Sequence, residues 1–216
     1  ARADLFGNWG QLPIPTRKAL IPRIIVVGAE STGTTTLSLA LAEHYGGRYV
    51  PEYGRQYTVE WLDSMRESRP DAGMSDLVWR RQDFERIGKY QTVLENRAAI
   101  KIDGFPLVVA DTDAFATAIW EDRYIPGNHW STTIRSSYAQ TPRRDLYFLT
   151  DHVGVDFEDD GYRDGENIRA TMTKSFEDAL THTGKSWALL RGSHEERMTI
   201  ATKMVDRVIK ERLNFD

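Results

Sequence analysis

The sequence contains no cysteine, which excludes disulfides and thiolate metal sites and fits a reducing compartment. It has no run of about 18 apolar residues, and its opening stretch, ARADLFGNWG, lacks the basic, apolar, small-residue order of an export signal. Both absences point to a soluble, cytoplasmic protein without a membrane partner. Positive charge is not in excess: 28 Lys and Arg stand against 32 Asp and Glu, for a net charge of -4. A nucleic-acid partner is therefore disfavoured. The five histidines, His44, His129, His152, His182 and His194, show no paired ligand spacing, so no zinc site is implied, and none has a Ser or Cys partner for nucleophilic catalysis. Internal repeats and low-complexity tracts are also missing. The chain begins at Ala1 rather than methionine, with a Trp- and Pro-bearing lead over residues 1–22, which suggests a piece cut from a longer protein.

What is present is an alternation of short apolar runs with helical stretches across 216 residues, the pattern of one domain with a helix-covered parallel sheet. Strands are expected over residues 23–27, 48–50, 107–110, 145–149 and 187–190. Helices are expected over 34–45, much of 75–100, 114–121, 166–183 and 194–213. Ser193 and Glu196 form a capping box at the start of the last helix. The polar stretch 63–74, with Pro70 and Gly73, reads as a surface loop. The predicted fold is thus α/β, a P-loop NTPase-like parallel five-stranded sheet with helices on both faces and a small mobile lid. Each strand is followed by polar residues (the 28–33 turn, EYGR, DTD, TDHVG and RGS), and ligands of such sheets sit at that edge. The five clusters should converge.

The stretch GAESTGTTT follows the first strand and matches a phosphate-binding loop, G-x-x-x-x-G-K-[ST], except that Thr34 stands at the lysine position. Gly28 and Gly33 let successive amides curl inward, and the helix opening at Thr34 adds its positive end. Gly28, Glu30, Ser31, Thr32, Gly33, Thr34, Thr35 and Thr36 are the predicted phosphate cradle. The alternative is a Gly- and Thr-rich turn without a ligand. An absent ammonium leaves the transferring phosphoryl oxygens short of positive charge. Arg163, Arg169 and Lys174, in DDGYRDGENIRATMTK, could supply it from a closing lid, or could merely pair with Asp159, Asp160, Asp164 or Glu166. The acidic run 156–160 is otherwise readable as a solvated loop.

Three further clusters carry chemistry. Asp111 ends an apolar strand, where a magnesium-organising acid belongs, while Asp113 could face the site or cap the next helix. Glu52 and Arg55 follow the second strand, facing an acceptor as proton acceptor and orienting cation, or else forming a surface pair. Trp79 and Gln82, three apart on a predicted helix, suit a flat heterocycle bearing an amide, although Trp79 also reads as core.

Taken in order, GAESTGTTTLSLALAEHYG, PEYGRQY, VVADTDAFAT, DLYFLT and EDDGYRDGENIR resemble the kinase domain of the NadR-type bifunctional nicotinamide-nucleotide adenylyltransferase/ribosylnicotinamide kinase, over about residues 24–213. The lead FGNWGQLP is similar to the stretch joining that family's two domains, so residues 1–22 would be linker from a missing adenylyltransferase domain and 23–216 the kinase domain. The resemblance implies transfer of the ATP terminal phosphoryl group to the 5'-hydroxyl of nicotinamide riboside. It implies ATP and Mg2+ as cofactors, with Thr35 and Asp111 at the metal and the 28–36 loop on the phosphates. Glu52, Tyr53, Arg55, Trp79, Gln82 and Asp113 would face the riboside, and Arg163 and Arg169 would cover the transferred group. Either Glu52 or Asp111 could be the base. Thr34 departs from the family's usual lysine, so a catalytically weak nucleotide-binding module, or a kinase for another small nucleoside, are the alternatives. A homo-oligomer is compatible with all of these.

Overall fold

The structure is a computed structural model that describes residues 7–101, 104–125, 143–163 and 165–213. Five strands, β1 (Arg23–Gly28), β2 (Arg48–Val50), β3 (Val108–Asp111), β4 (Leu146–Thr150) and β5 (Trp187–Leu190), form one sheet in the order β2-β3-β1-β4-β5. Every pairing is parallel; Val26, for example, lies opposite Asp111 on one side and Phe148 on the other. The central strands are apolar except at their ends, where Arg23, Asp111 and Thr150 stand, because both of their faces are covered. Alternate residues of β1 divide between two cores: Ile25 and Val27 pack with Phe115, Met172 and Phe176, whereas Ile24 and Val26 pack with Leu37, Leu41 and Val205.

The helices are α1 (Ile14–Leu20), α2 (Thr34–Tyr45), α3 (Tyr53–Arg66), α4 (Arg81–Ile100), α5 (Ala114–Tyr124), α6 (Arg169–His182) and α7 (His194–Leu213). The last is capped as expected: Ser193 N–H donates to Glu196 Oε2 at 2.8 Å and Glu196 N–H to Ser193 Oγ at 3.3 Å. Two helices, α1 and α3, were not expected. The loop predicted over 63–74 therefore loses its first residues to α3, and Trp79 lies before α4 rather than on it. The lead does not trail free of the domain: Trp9 is buried in the core, and Arg17 Nη1 donates to the Ile100 carbonyl at 3.2 Å.

A buried ionic network ties α4 to β1 and β4. Glu95 accepts from Arg144 Nη2 at 2.8 Å and lies 3.7 Å from Arg23 Nη1, while Arg144 Nε reaches Asp113 at 3.1 Å. All four side chains are at most 5 % exposed. Such charges are tolerable inside only because each has a partner. Glu95→Ala takes from Arg23 its ion-pair partner and leaves Arg144 its pair with Asp113, and is expected to lower stability by about 3–5 kcal/mol in urea denaturation, whereas a loss under about 1 kcal/mol would show the network to be dispensable.

Candidate active site

The strand ends meet a cavity of about 610 Å³ lined from the 28–36 turn, residues 51–55, Asp111 and Thr112, and the 155–163 segment. Three of the five polar clusters thus contribute to it; TDHVG does not, the lining resuming only at Val155, and Gly192 of the fifth instead accepts from Arg197 Nε at 3.0 Å. At Gly28 a Cβ would stand 2.3 Å from Thr150 Oγ1 and 2.5 Å from Thr32 Oγ1, so only glycine fits where the turn leaves β1. Gly33 has φ +83 and Ser31 φ 58, the left-handed conformations that curl a turn of this kind around an anion. Gly28, Glu30, Ser31, Gly33, Thr34, Thr35 and Thr36 all line the cavity. Thr32 is the exception: its hydroxyl is buried, donating to the Ala29 carbonyl at 2.7 Å and meeting Thr150 Oγ1 at 2.7 Å. Its side chain braces the turn.

Opposite the turn, Asp111 is buried at the end of β3, and its Oδ2 accepts from Thr35 Oγ1 at 2.5 Å. The Tyr49 hydroxyl donates to the same oxygen at 3.5 Å. Thr34, at the lysine position, brings no charge to the cradle. Glu52 occupies the position before α3 yet caps nothing, and it has no hydrogen-bond partner among the described residues. Burial, with the Asp111 and Glu30 charges adding and Arg55 and Arg163 opposing, pushes the Glu52 carboxyl up to about 8. Burial likewise raises Asp111, against the hydrogen bonds from Thr35 and Tyr49. One carboxyl of the pair thus keeps its proton well above the usual range. Thr35 and Asp111 are hard oxygen donors, the set Mg2+ takes together with phosphate and water, and both face the cavity. Among the described residues there is no cluster of three or more His, Cys, Asp or Glu for a protein-only metal cage.

The far end of the cavity is aromatic. Trp79 lies 5.1 Å from Phe84, 5.2 Å from Tyr124 and 5.3 Å from Trp61, ring centre to ring centre, and Trp120 lines the same wall. Gln82, expected beside Trp79, is exposed and does not line the cavity. Tyr53 is also outside the lining, its ring tilted against that of Tyr90 at 4.3 Å. Asp113 is fully buried and accepts from the amides of Phe115 and Ala116 and from Tyr147 Oη. It caps α5, and its expected place at the acceptor is corrected: those bonds leave no oxygen turned to the site.

Arg55 and Arg163 line the cavity, and both bind Asp160 of the covering segment. Arg163 also donates to Ser31 Oγ, which in turn accepts from the Glu158 amide at 2.8 Å. The covering segment is thereby docked on the turn. Arg169 lies elsewhere than the resemblance suggested: buried, it donates to the carbonyls of Ser31 (3.1 Å), His152 (3.1 Å) and Val155 (2.8 Å), behind the turn rather than over the cavity. Lys174 is exposed and pairs with Asp178 at 2.7 Å. Asp164 and His129 lie outside the described residues.

Several residues of the site were not anticipated. Gln91, buried on α4, accepts from the Tyr53 amide at 2.9 Å and donates to the Pro51 carbonyl at 3.2 Å, fixing the backbone on either side of Glu52. Arg197 sits behind the turn. Phe84, Trp120 and Tyr124 carry only an aromatic signal that equally marks core, and neither Gln91 nor Arg197 differs in sequence from a surface helix residue.

A parallel sheet with a glycine turn after its first strand, a helix opening on Thr34 and Thr35, and an acid at the end of the adjacent strand together define a P-loop nucleotide-binding domain of α/β type. The chain belongs to the AAA domain family, whose model (AAA_28) matches residues 23–197. Its fold is that of P-loop kinases. It is similar to a NadR protein in complex with NR (TM-score 0.75, 22 % identity, covering 97 % of this chain and 56 % of that one). A NadR protein in complex with NAD and AMP-PNP is similar too (TM-score 0.72, 20 %, 97 % and 54 %). So is thymidylate kinase from Candida albicans (TM-score 0.57, 10 %, 89 % and 93 %). The chain spans about half the length of the NadR structures. No curated protein matches it. No helix among the described residues is long and apolar enough to cross a membrane.

The raised Glu52 carboxyl makes stability depend on pH. Between its ordinary 4.5 and about 8 the folded chain holds a proton the unfolded chain has lost, so this contribution is complete below 4.5 and fades as pH rises towards 8. Melting temperatures of the parent should fall across that window more steeply than those of Glu52→Gln, which should be the more stable of the two near pH 8. Parallel profiles would mean that Glu52 ionises normally.

Proposed function

We propose that the chain transfers the terminal phosphoryl group of ATP to the 5'-hydroxyl of nicotinamide riboside, forming nicotinamide mononucleotide on a route to NAD. The observation that carries this reading is one cavity joining the phosphate turn, the Thr35–Asp111 pair, a Glu52 carboxyl with no hydrogen-bond partner among the described residues and an aromatic wall. A binding module needs a cradle. It has no need of a carboxyl held near neutral pKa beside it. The NadR structures with NR and with AMP-PNP support the choice of acceptor and donor.

In this reading the 28–36 turn holds the phosphates through backbone amides. Thr35 and Asp111 would hold Mg2+, which supplies charge neutralisation on the phosphates. Asp111 is already engaged by the hydroxyls of Thr35 and Tyr49, so Glu52 is the better proton acceptor for the attacking hydroxyl. Arg163 and Arg55, both paired with Asp160, supply cations to the transferred group that Thr34 does not. Trp79, Trp120 and Tyr124 offer faces for a flat heterocycle. Residues 1–22 would connect to an adenylyltransferase domain, and the protein would work in the cytoplasm.

The test is ADP release with Mg2+, ATP and a panel of nucleosides. Turnover is expected with nicotinamide riboside, abolished in Asp111→Ala and reduced about 10²–10⁴-fold in Glu52→Gln. Arg163→Ala should lose far more rate than nucleotide affinity, since its charge acts in the transition state. A parent that binds ATP but turns over no nucleoside would instead be a nucleotide-binding module, and a preference for another nucleoside would move the acceptor assignment.

A further inference from the structure

The outer side of the phosphate turn carries two buried guanidinium groups. Arg197 of α7 is 4 % exposed, and each of its nitrogens donates to a main-chain carbonyl: Nη1 to Thr32 at 2.6 Å, Nη2 to Asp151 at 2.9 Å and Nε to Gly192 at 3.0 Å. It therefore joins the loops that follow β1, β4 and β5. Arg169, 3 % exposed, takes the next carbonyl of the turn, that of Ser31, at 3.1 Å. Among the described residues no carboxylate lies within ion-pair distance of Arg197; the nearby Asp151 turns its Oδ2 to Arg191 at 2.7 Å instead. Desolvation lowers the Arg197 pKa. A buried cation with only carbonyl partners is costly until an anion comes close.

The geometry has a direct electrostatic consequence. A guanidinium on a carbonyl oxygen polarises that peptide group and makes its N–H, on the far side of the same peptide, a stronger donor. The peptides of Ser31 and Thr32 end in the amides of Thr32 and Gly33, which belong to the predicted phosphate cradle. Lysine in the usual position would act on phosphate from the front, but Thr34, a neutral hydroxyl on the cavity wall, brings none of that charge.

We infer that Arg197, with Arg169 beside it, is a positioning residue that charges the phosphate turn from behind, replacing through the peptide groups part of what the missing ammonium would supply. This rests on the nucleotide-binding half of the function proposed above. Neither arginine touches substrate. Their effect is on affinity for the triphosphate and not on the acceptor.

Calorimetric titration of the chain with Mg2+ and AMP-PNP tests it, with circular dichroism and melting temperature to establish folding of each variant. Arg197→Gln should bind roughly tenfold more weakly. Arg197→Lys, which keeps the charge, should fall between it and the parent. The decisive variant is Thr34→Lys in the Arg197→Gln background: an ammonium at the front should restore affinity to about the parent level if charge is what was lost. Should Arg197→Gln not fold, Arg169→Gln gives the same reading with the same expected rescue. Unchanged affinity in the glutamine variant, or a loss that Thr34→Lys does not recover, overturns the inference, the second outcome meaning that the arginine only shapes the loop. A parent that binds no AMP-PNP would instead refute the kinase reading itself.

Discussion

The site depends on how the carbonyls of one turn are satisfied. A chain that curls its amides towards an anion must direct its carbonyls away from it, into protein that has little water to offer. Here the Ala29 carbonyl is met by the Thr32 hydroxyl, that of Ser31 by Arg169 and that of Thr32 by Arg197. The partners come from the turn itself, from α6 and from α7, so the cradle keeps its shape only while the elements that follow β4 and β5 are docked. Gly28 belongs to the same constraint, because the Thr32 and Thr150 hydroxyls occupy the space a side chain would need.

Charge around the cavity is arranged in opposed sets. Glu52 and Asp111 face each other's field with no cation in the turn itself, and burial raises both. The cations that do line the cavity, Arg55 and Arg163, share the single carboxylate of Asp160 on the covering segment. Exposed pairs of this kind are weak and readily exchanged. A phosphate entering the cradle competes with Asp160 for two guanidinium groups at once, and the cost of moving them is small.

Likeness to known structures and chemistry at the site carry different parts of the reading. At 20 and 22 % identity the NadR structures establish a shared architecture over 97 % of the chain. The proposed roles come from the side chains: a carboxyl with a raised pKa and no hydrogen-bond partner among the described residues, an acid already bonded to the loop hydroxyl, and an indole wall from Trp79, just before α4, and Trp120 of α5. Asp113 illustrates why position in a motif is insufficient. Two residues from Asp111, it is turned inward by its helix cap and by Arg144, and its chemistry is structural.

The amino-acid sequence alone determined the strand pattern, the phosphate turn and the acid ending β3, because apolar runs, glycines and a capping box are local signals that need no partner to be read. The five strands agree with expectation to within a residue or so at their ends. It missed α3, whose polar surface and lone glycine resemble a loop, and α1, a short helix held by Trp9 and by contacts with α4. Which arginine lines the cavity and which stands behind the turn was decided only by tertiary structure. Arg163, Arg169 and Arg197 are chemically identical side chains, and what separates them is whether the nearest unsatisfied oxygen belongs to the cavity or to a carbonyl at the back of the turn, a fact of packing across more than a hundred residues of chain.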